Sequence, residues 1–316
     1  MTTRPAPAAP ARMIGVLFGL LAATAWGTTG TAATFAPEVP AVAIGAAAMG
    51  IGGMLQALIA IRGIRSERGA LLRHRRPLLV GAICVAIYPL AFYASMRLAG
   101  VTIGTVISIG SAPLISALIE NRVEGTRLTL RWGIGAALGI GGMALLGAME
   151  GNHEALAPNV PLGVALGLLA GMTYALYAWC ARRLMQHGIE ARAAMGATFG
   201  LGGLLLMPVL FAAGDPFLDS ASNLMVGIYM ATVPMFLGYV AFGIALSRLP
   251  SSQVTTLTLF EPVVAALLAI AVVGERLPPL GWLGVGLIIA CLFWNEAPLP
   301  RRRTRRTRTR LSALRR

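Results

Sequence analysis

Lysine is absent from this 316-residue sequence, and all 26 basic residues are arginine. Acids are few as well, 12 in all, so the formal net charge is +14. Charged residues make up 12% of the chain, about half of the ~25% usual in soluble domains. That shortage excludes a packed core wrapped in a charged surface. The three cysteines, Cys84, Cys180 and Cys291, each fall inside an apolar run. Their spacing fits no disulfide framework and no metal-ligand set, so buried, unpaired thiols are expected. His74, His153 and His187 lie between apolar runs, and none pairs with a cysteine or acid at ligand spacing, so no metal site is expected. The sequence has neither a phosphate-binding glycine loop nor a nucleophile elbow. ATP-driven transport within the chain is therefore not expected, and no cofactor is.

What the chain has in abundance is apolar sequence. Hydrophobic residues make up 57% of it, and its mean hydropathy is +0.75. A helix needs about 20 apolar residues to cross the hydrocarbon core. Ten segments qualify: 13–35, 39–61, 77–99, 101–120, 131–149, 161–181, 193–213, 223–247, 251–273 and 279–296. The third and fourth run together, and so do the eighth and ninth. We divide them at Arg97-Leu98-Ala99-Gly100 and at Ser247-Arg248-Leu249-Pro250, because a single helix would overrun the membrane and a proline disfavours helix before it. Ala23-Thr24-Ala25 resembles a signal-peptidase site. The first apolar run continues to Phe35, long enough to span, so a retained helix is expected.

Arginine placement tests this count independently, because cytoplasmic loops accumulate it. Segment 62–76 carries Arg62, Arg65, Arg68, Arg73, Arg75 and Arg76. Segment 121–131 carries Arg122, Arg127 and Arg131, and 182–192 carries Arg182, Arg183 and Arg192. The alternate loops instead hold Glu38, then Glu150 and Glu154, then Asp215 and Asp219, with only Arg97 and Arg276 among them. Ten helices with both termini cytoplasmic, in the inner membrane, fit this alternation. The arginine-rich tail, residues 297–316, invites a nucleic-acid reading. A basic segment lying on an anionic leaflet explains it better, so membrane lipid is the expected partner and nucleic acid is not.

The chain also repeats itself. Gly19-Leu20-Leu21-Ala22 matches Gly167-Leu168-Leu169-Ala170, and Trp26 then aligns with Tyr174. Pro113 and Gly125-Thr126-Arg127-Leu128 match Pro262 and Gly274-Glu275-Arg276-Leu277, and Trp132 matches Trp282. The offset drifts only from 148 to 150 residues, as small loop insertions would produce. Each unit has five helices, an odd number, so the second enters the membrane from the opposite face. Inverted repeats of this kind are a transporter signature, with the substrate site at the midplane between them. The fold expected is all-α: ten transmembrane helices in two inverted five-helix repeats, 13–149 and 161–296.

Phe260-Glu261-Pro262, followed by Gly274-Glu275-Arg276-Leu277 and Trp282, resembles the second repeat of EamA-type transporters of the drug/metabolite transporter superfamily. Residues 16–35 and 94–149 resemble the first repeat. The likeness covers roughly 13–296. It implies transport of amino acids, sugars, nucleobases, amines or drugs, often outward. The two halves differ at one place: Ala112-Pro113 stands where the second repeat has Glu261-Pro262.

Candidate substrate-binding residues follow from position. Glu261 is the only acid placed well inside a span, ten residues or ~15 Å into the ninth helix. An intramembrane carboxylate costs several kcal/mol unless protonated or paired. Glu261 is therefore either a proton carrier and amine partner, or a structural acid for backbone freed by Pro262. Thr105, Ser108 and Ser111 form one hydroxyl stripe, and Thr255, Thr258 and Glu261 another. Such stripes bind a zwitterion or let helices approach closely. Trp26, Tyr88, Tyr174, Tyr177 and Tyr239 lie within spans, deeper than interfacial belts; they are cavity walls or packing. Gly133, Ala137 and Gly141 form a small-residue ridge, expected to pack against the tenth helix.

Two functions compete. One is a secondary active transporter of a small metabolite across the cytoplasmic membrane, an exporter of amino acids or related amphipathic compounds, working by alternating access with proton coupling. The alternative is a membrane-embedded enzyme acting on a lipid-linked substrate. Such enzymes cluster acids or histidines at the membrane face, whereas here both are scattered. Nothing in the pattern sets an oligomeric state.

Overall fold

The computed structural model describes residues 9–148, 158–274 and 276–296. Glu150, His153, Glu154, Glu275 and the 297–316 tail lie outside the described residues. Within them the chain is helical, with no strand. Nine helices are long and apolar enough to cross a membrane: α1 (Pro10–Ala33), α2 (Ala41–Ser66), α3 (Arg75–Ala99), α4 (Ile103–Glu124), α5 (Leu130–Gly147), α6 (Val160–Gln186), α7 (Ala191–Ala213), α8 (Ala221–Leu246) and α9 (Ser251–Val272). A shorter apolar helix, α10 (Pro279–Asn295), completes the ten. The chain is an all-α, multi-pass membrane protein with two five-helix repeats.

The two difficult divisions fall where the sequence places them. Between α3 and α4, Gly100 adopts φ 92°, a region glycine enters without steric cost. Between α8 and α9, the turn ends at Pro250, whose fixed φ and missing N–H suit a helix start. Three helix starts carry their own side-chain caps. Thr129 accepts from the Trp132 N–H, Asn159 from Leu162 and Ser220 from Asn223, each satisfying an orphan donor. No side chain at Pro250 caps α9; Glu120 of α4 does so instead.

Packing obeys the repeat. Exchanging each helix with the one five later turns the α3–α6 contact into α8–α1 and α4–α6 into α9–α1, and all four contacts are present. The α2–α7 and α5–α10 pairs map onto themselves and close the two ends of the bundle. A local irregularity repeats too. The last turn of α4, Glu120–Glu124, is π-helical and stops at Gly125 with φ 72°. Residues 269–273, where α9 ends, are also π-helical and stop at Gly274 with φ 81°. The same defect and the same left-handed terminator thus recur 149 residues apart.

The α5–α10 contact corrects the expected ridge. A Cβ on Gly133 or Gly141 would meet nothing within 4 Å. The helix turns Gly135, Gly139 and Gly142 toward α10 instead. A Cβ on Gly142 would lie 2.6 Å from the Gly284 carbonyl oxygen, and one on Gly284 would lie 2.7 Å from that of Gly142. The backbones touch, so side chains there are excluded. The partner is the one expected; the face differs because this glycine-rich helix offers small residues in two registers. Cys84, Cys180 and Cys291 are buried and unpaired.

Candidate functional site

Six helices converge near mid-bundle. Trp26 comes from α1, Met49 from α2, Tyr88 and Tyr93 from α3, Tyr174 and Tyr177 from α6, Tyr239 from α8 and Glu261 from α9. They enclose a cavity of about 50 Å³, room for a few water molecules. Phe199, Phe242, Leu246 and Leu257, which belong to the same buried cluster as its rings, are essentially inaccessible. Thr29, Gly45 and Phe92 also belong to its lining, together with Tyr93.

Local backbone chemistry sets several of these side chains. Residues 231–237 of α8 form a π-helical segment around Pro234. Pro234 lacks an N–H, and the register shift frees carbonyls. The Pro234 carbonyl accepts the Trp26 indole N–H at 2.9 Å, tying α1 of one repeat to α8 of the other. In α9, the turn Thr258–Phe260 before Glu261-Pro262 tightens to 3-10 geometry. Thr258 donates to the Thr255 carbonyl at 2.9 Å. Its single hydrogen is engaged there, so in the 2.8 Å contact with Tyr174 the phenol is the donor. Tyr177 and Tyr239 share a 2.9 Å hydroxyl–hydroxyl bond.

The rings pack as a cage. Trp26 meets Tyr174 edge-on at 6.3 Å and Tyr239 at 4.7 Å, and Tyr174 stacks on Tyr177 at 5.2 Å. Tyr88 meets Tyr174 at 5.5 Å. The repeat-related pair Trp26 and Tyr174 therefore touch. Glu261 is half-buried in this cage. Among the described residues, no side chain or backbone group donates a hydrogen bond to its carboxylate.

Of the residues singled out from sequence, Trp26, Tyr88, Tyr174, Tyr177, Tyr239 and Glu261 line one cavity. Ser108, Ser111 and Thr258 lie elsewhere. Ser108 and Ser111 face α6, where a Cβ on Gly171 would sit 2.7 Å from the Ser108 carbonyl oxygen and closer still to the Ser111 hydroxyl. They belong to the α4–α6 interface, the close-approach alternative for that stripe. Thr258 is fully buried behind Tyr174 and orients it without lining the cavity. Tyr93 was missed; a signal existed in its place on α3 five residues after Tyr88.

Glu120 was also missed, because the last residue of an apolar run reads as a loop acid. It is only 3% exposed. Its carboxylate accepts from the Ser251 hydroxyl at 2.7 Å, from the Ser252 N–H at 3.2 Å and from the Ser252 hydroxyl. An anion at a helix N-terminus is favoured by the macrodipole and by charge-assisted bonding. Arg182 of α6 donates to the carbonyls of Leu246 and Leu249 at the end of α8. The α8–α9 turn is thus held by an acid at its helix start and an arginine at its helix end. On the same face Glu67 accepts from the Glu190 N–H at 3.0 Å, and the His74 and His187 rings meet at 4.0 Å. His74 has its pKa lowered from the ordinary histidine value, first by desolvation, then by His187, Arg73 and Arg183.

The sequence profile of the EamA-like transporter family matches residues 13–148 and 161–295. Transporter YwfM of Bacillus subtilis is 33% identical over 89% of this chain and 94% of its own length. A protein of Streptantibioticus cattleyicolor named "Probable terminal-alkyne amino-acid exporter" is 27% identical over 90% of this chain and 97% of its own. The threonine/homoserine exporter RhtA of Escherichia coli K12 is 30% identical over 68% of this chain and 69% of its own. A solved crystal structure superimposes with a TM-score of 0.74 at 18% identity, covering 89% of this chain and 96% of that one; that likeness speaks to fold.

Proposed function

The chain belongs to the EamA-like transporter family, and from that premise we propose that it is a secondary active exporter of amino acids and related amphipathic metabolites. The repeats, residues 13–149 and 161–296, rock about the aromatic cavity and expose it alternately to each face. Each repeat can take the other's shape, so two states of similar energy are built into the duplication. The protein sits in the inner membrane with both termini cytoplasmic, its arginine-rich loops following the positive-inside rule. Its basic tail, residues 297–316, lies on the anionic leaflet.

The observation that carries this reading is a half-buried carboxylate, Glu261, facing a cavity built from both repeats. A membrane carboxylate without a partner is costly unless it is neutral or meets a cation. Proton binding and substrate arrival both meet that requirement, which links transport to pH. Trp26, Tyr88, Tyr174, Tyr177 and Tyr239 supply the walls that contact the solute.

Expression in a host grown on inhibitory amino acids and their analogues tests the function. Resistance together with counterflow of the same compound in proteoliposomes is the expected result. Failure of any such solute to move under any gradient, with chemical change of a lipid instead, overturns it. Reporters fused to either terminus should register the cytoplasm; a periplasmic C-terminal signal contradicts the topology.

A further inference from the structure

We infer that the cavity recognises small primary amines whose neighbouring carboxyl is absent or blocked, in preference to the matching zwitterionic amino acids. The inference rests on the transport reading above and narrows its substrate class.

The argument is a census of charges and donors. One carboxylate, Glu261, faces the cavity, and among the described lining residues there is no arginine or histidine. Lysine is absent from the chain. An ammonium group entering here meets an anion and a ring of aromatic faces, whose quadrupoles attract cations. Trp26, Tyr88, Tyr93, Tyr174 and Tyr239 supply those faces.

A solute carboxylate finds the reverse. It needs donors, and four of the seven here are engaged, leaving the phenols of Tyr88 and Tyr93 and one hydrogen of the Tyr177–Tyr239 pair. The Trp26 N–H is given to Pro234 and the Thr29 hydroxyl to the Trp26 carbonyl, at 2.9 and 2.7 Å. The Tyr174 hydrogen goes to Thr258, as its partner's own bond to Thr255 requires. One hydrogen of the Tyr177–Tyr239 pair is engaged between them. Tyr174 therefore offers the cavity lone pairs, which suit an ammonium. A second anion beside Glu261 would be repelled in a medium of low dielectric, and leaving it unpaired costs more than a lost hydrogen bond.

Cations on the packed helices lie outside this site. Arg182 is ~8 Å along α6 from Tyr177 and bonds the carbonyls of Leu246 and Leu249. Arg12 is ~21 Å along α1 from Trp26. Arg97 is one turn beyond Tyr93 on α3, exposed at the end of the helix. It is the nearest cation along the lining helices, so the test includes it.

Isothermal titration of the purified full-length protein with leucine, leucinamide and isoamylamine keeps the side chain constant and varies the carboxyl. Leucinamide and isoamylamine should bind at least ~10-fold more tightly than leucine, a difference of ~1.4 kcal/mol. Glu261→Gln should erase the preference, and Arg97→Ala should leave it intact. Should the Gln variant fail to fold, the wild-type comparison decides alone. Tighter binding of leucine, or a preference that survives Glu261→Gln, overturns the inference. Counterflow of leucine in proteoliposomes without that of either blocked compound leaves the exporter standing and the amine selectivity refuted. Absence of binding and exchange by all three refutes both.

Discussion

Helices α4 and α9 occupy equivalent places in the two repeats and share a proline, a π-helical turn and a left-handed glycine. Each also holds an acid in low-dielectric surroundings, but the two acids are placed differently. Glu120 sits in the π-helical turn of α4 and accepts from Ser251 and twice from Ser252. Glu261 sits beside Pro262 facing the cavity, while its counterpart in α4 is Ala112. Glu120 is buried and Glu261 half-buried, and only Glu120 is satisfied. A carboxylate with three donors at a helix start is a joint between α4 and α9. A carboxylate left facing a cage of rings is available for a proton or a cation. Duplication copied the scaffold, and the asymmetry lies in where each copy keeps its charge.

The comparison breaks first at the joint. Glu120→Ala leaves Ser251, Ser252 and the start of α9 without an acceptor, and should lower stability by about 3 kcal/mol, as loss of hydrogen bonds to a charge does. Thermal unfolding of the detergent-solubilised protein reads this. Glu120→Gln, which retains an acceptor oxygen, should lose less. Unchanged melting of the Ala variant would mean that the joint is incidental.

A smaller effect is expected behind the cage. Tyr174→Phe removes the donor to Thr258 and should cost ~1 kcal/mol, because a hydroxyl lone pair on Thr258 is left buried. Melting and solute affinity should both fall modestly. A loss of affinity with melting unchanged would place the Tyr174 hydroxyl on the solute and contradict its assignment to Thr258.

The smallest effect concerns the contact between the α2–α3 and α6–α7 loops. The folded state lowers the His74 pKa, so at intermediate pH the unfolded chain binds more protons and stability rises with pH. The contribution is present above the ordinary histidine value of ~6.5 and is lost as pH falls through the lower folded value. Because His74 is only partly buried, the dependence should be slight and should flatten in His74→Gln. A stability that increases on acidification in this range and depends on His74 would reverse the sign.

Much of this was legible in the sequence, for identifiable reasons. Span limits came through because lipid demands long apolar runs, and the Gly100 and Pro250 breaks because those residues interrupt helices by their own stereochemistry. The repeat was visible in Trp26 and Tyr174 and in the paired glycines Gly125 and Gly274. Six of the candidate residues line one cavity, because large aromatics and an acid deep in a span have few other places to go. The Ser108 and Ser111 stripe stayed open between two readings, and the Gly133–Gly141 ridge misled, for one shared reason. Helical spacing states that residues share a face but not which neighbour covers it, and small residues crowd several faces of these helices. Glu120 escaped because its partners, Ser251 and Ser252, are distant in sequence, and a terminal acid looks solvated until the facing helix is in place.

The most direct test of the account is proton flux measured alongside substrate flux in proteoliposomes, for wild type and Glu261→Gln. Gln retains size and hydrogen bonding but cannot titrate. The account predicts proton-coupled accumulation in the wild type and its loss in the variant, by at least ~10-fold, the equivalent of ~1.4 kcal/mol. Downhill exchange should persist in part, with melting little changed. Full pH-driven accumulation by the Gln variant would contradict the account and make Glu261 a structural acid like Glu120.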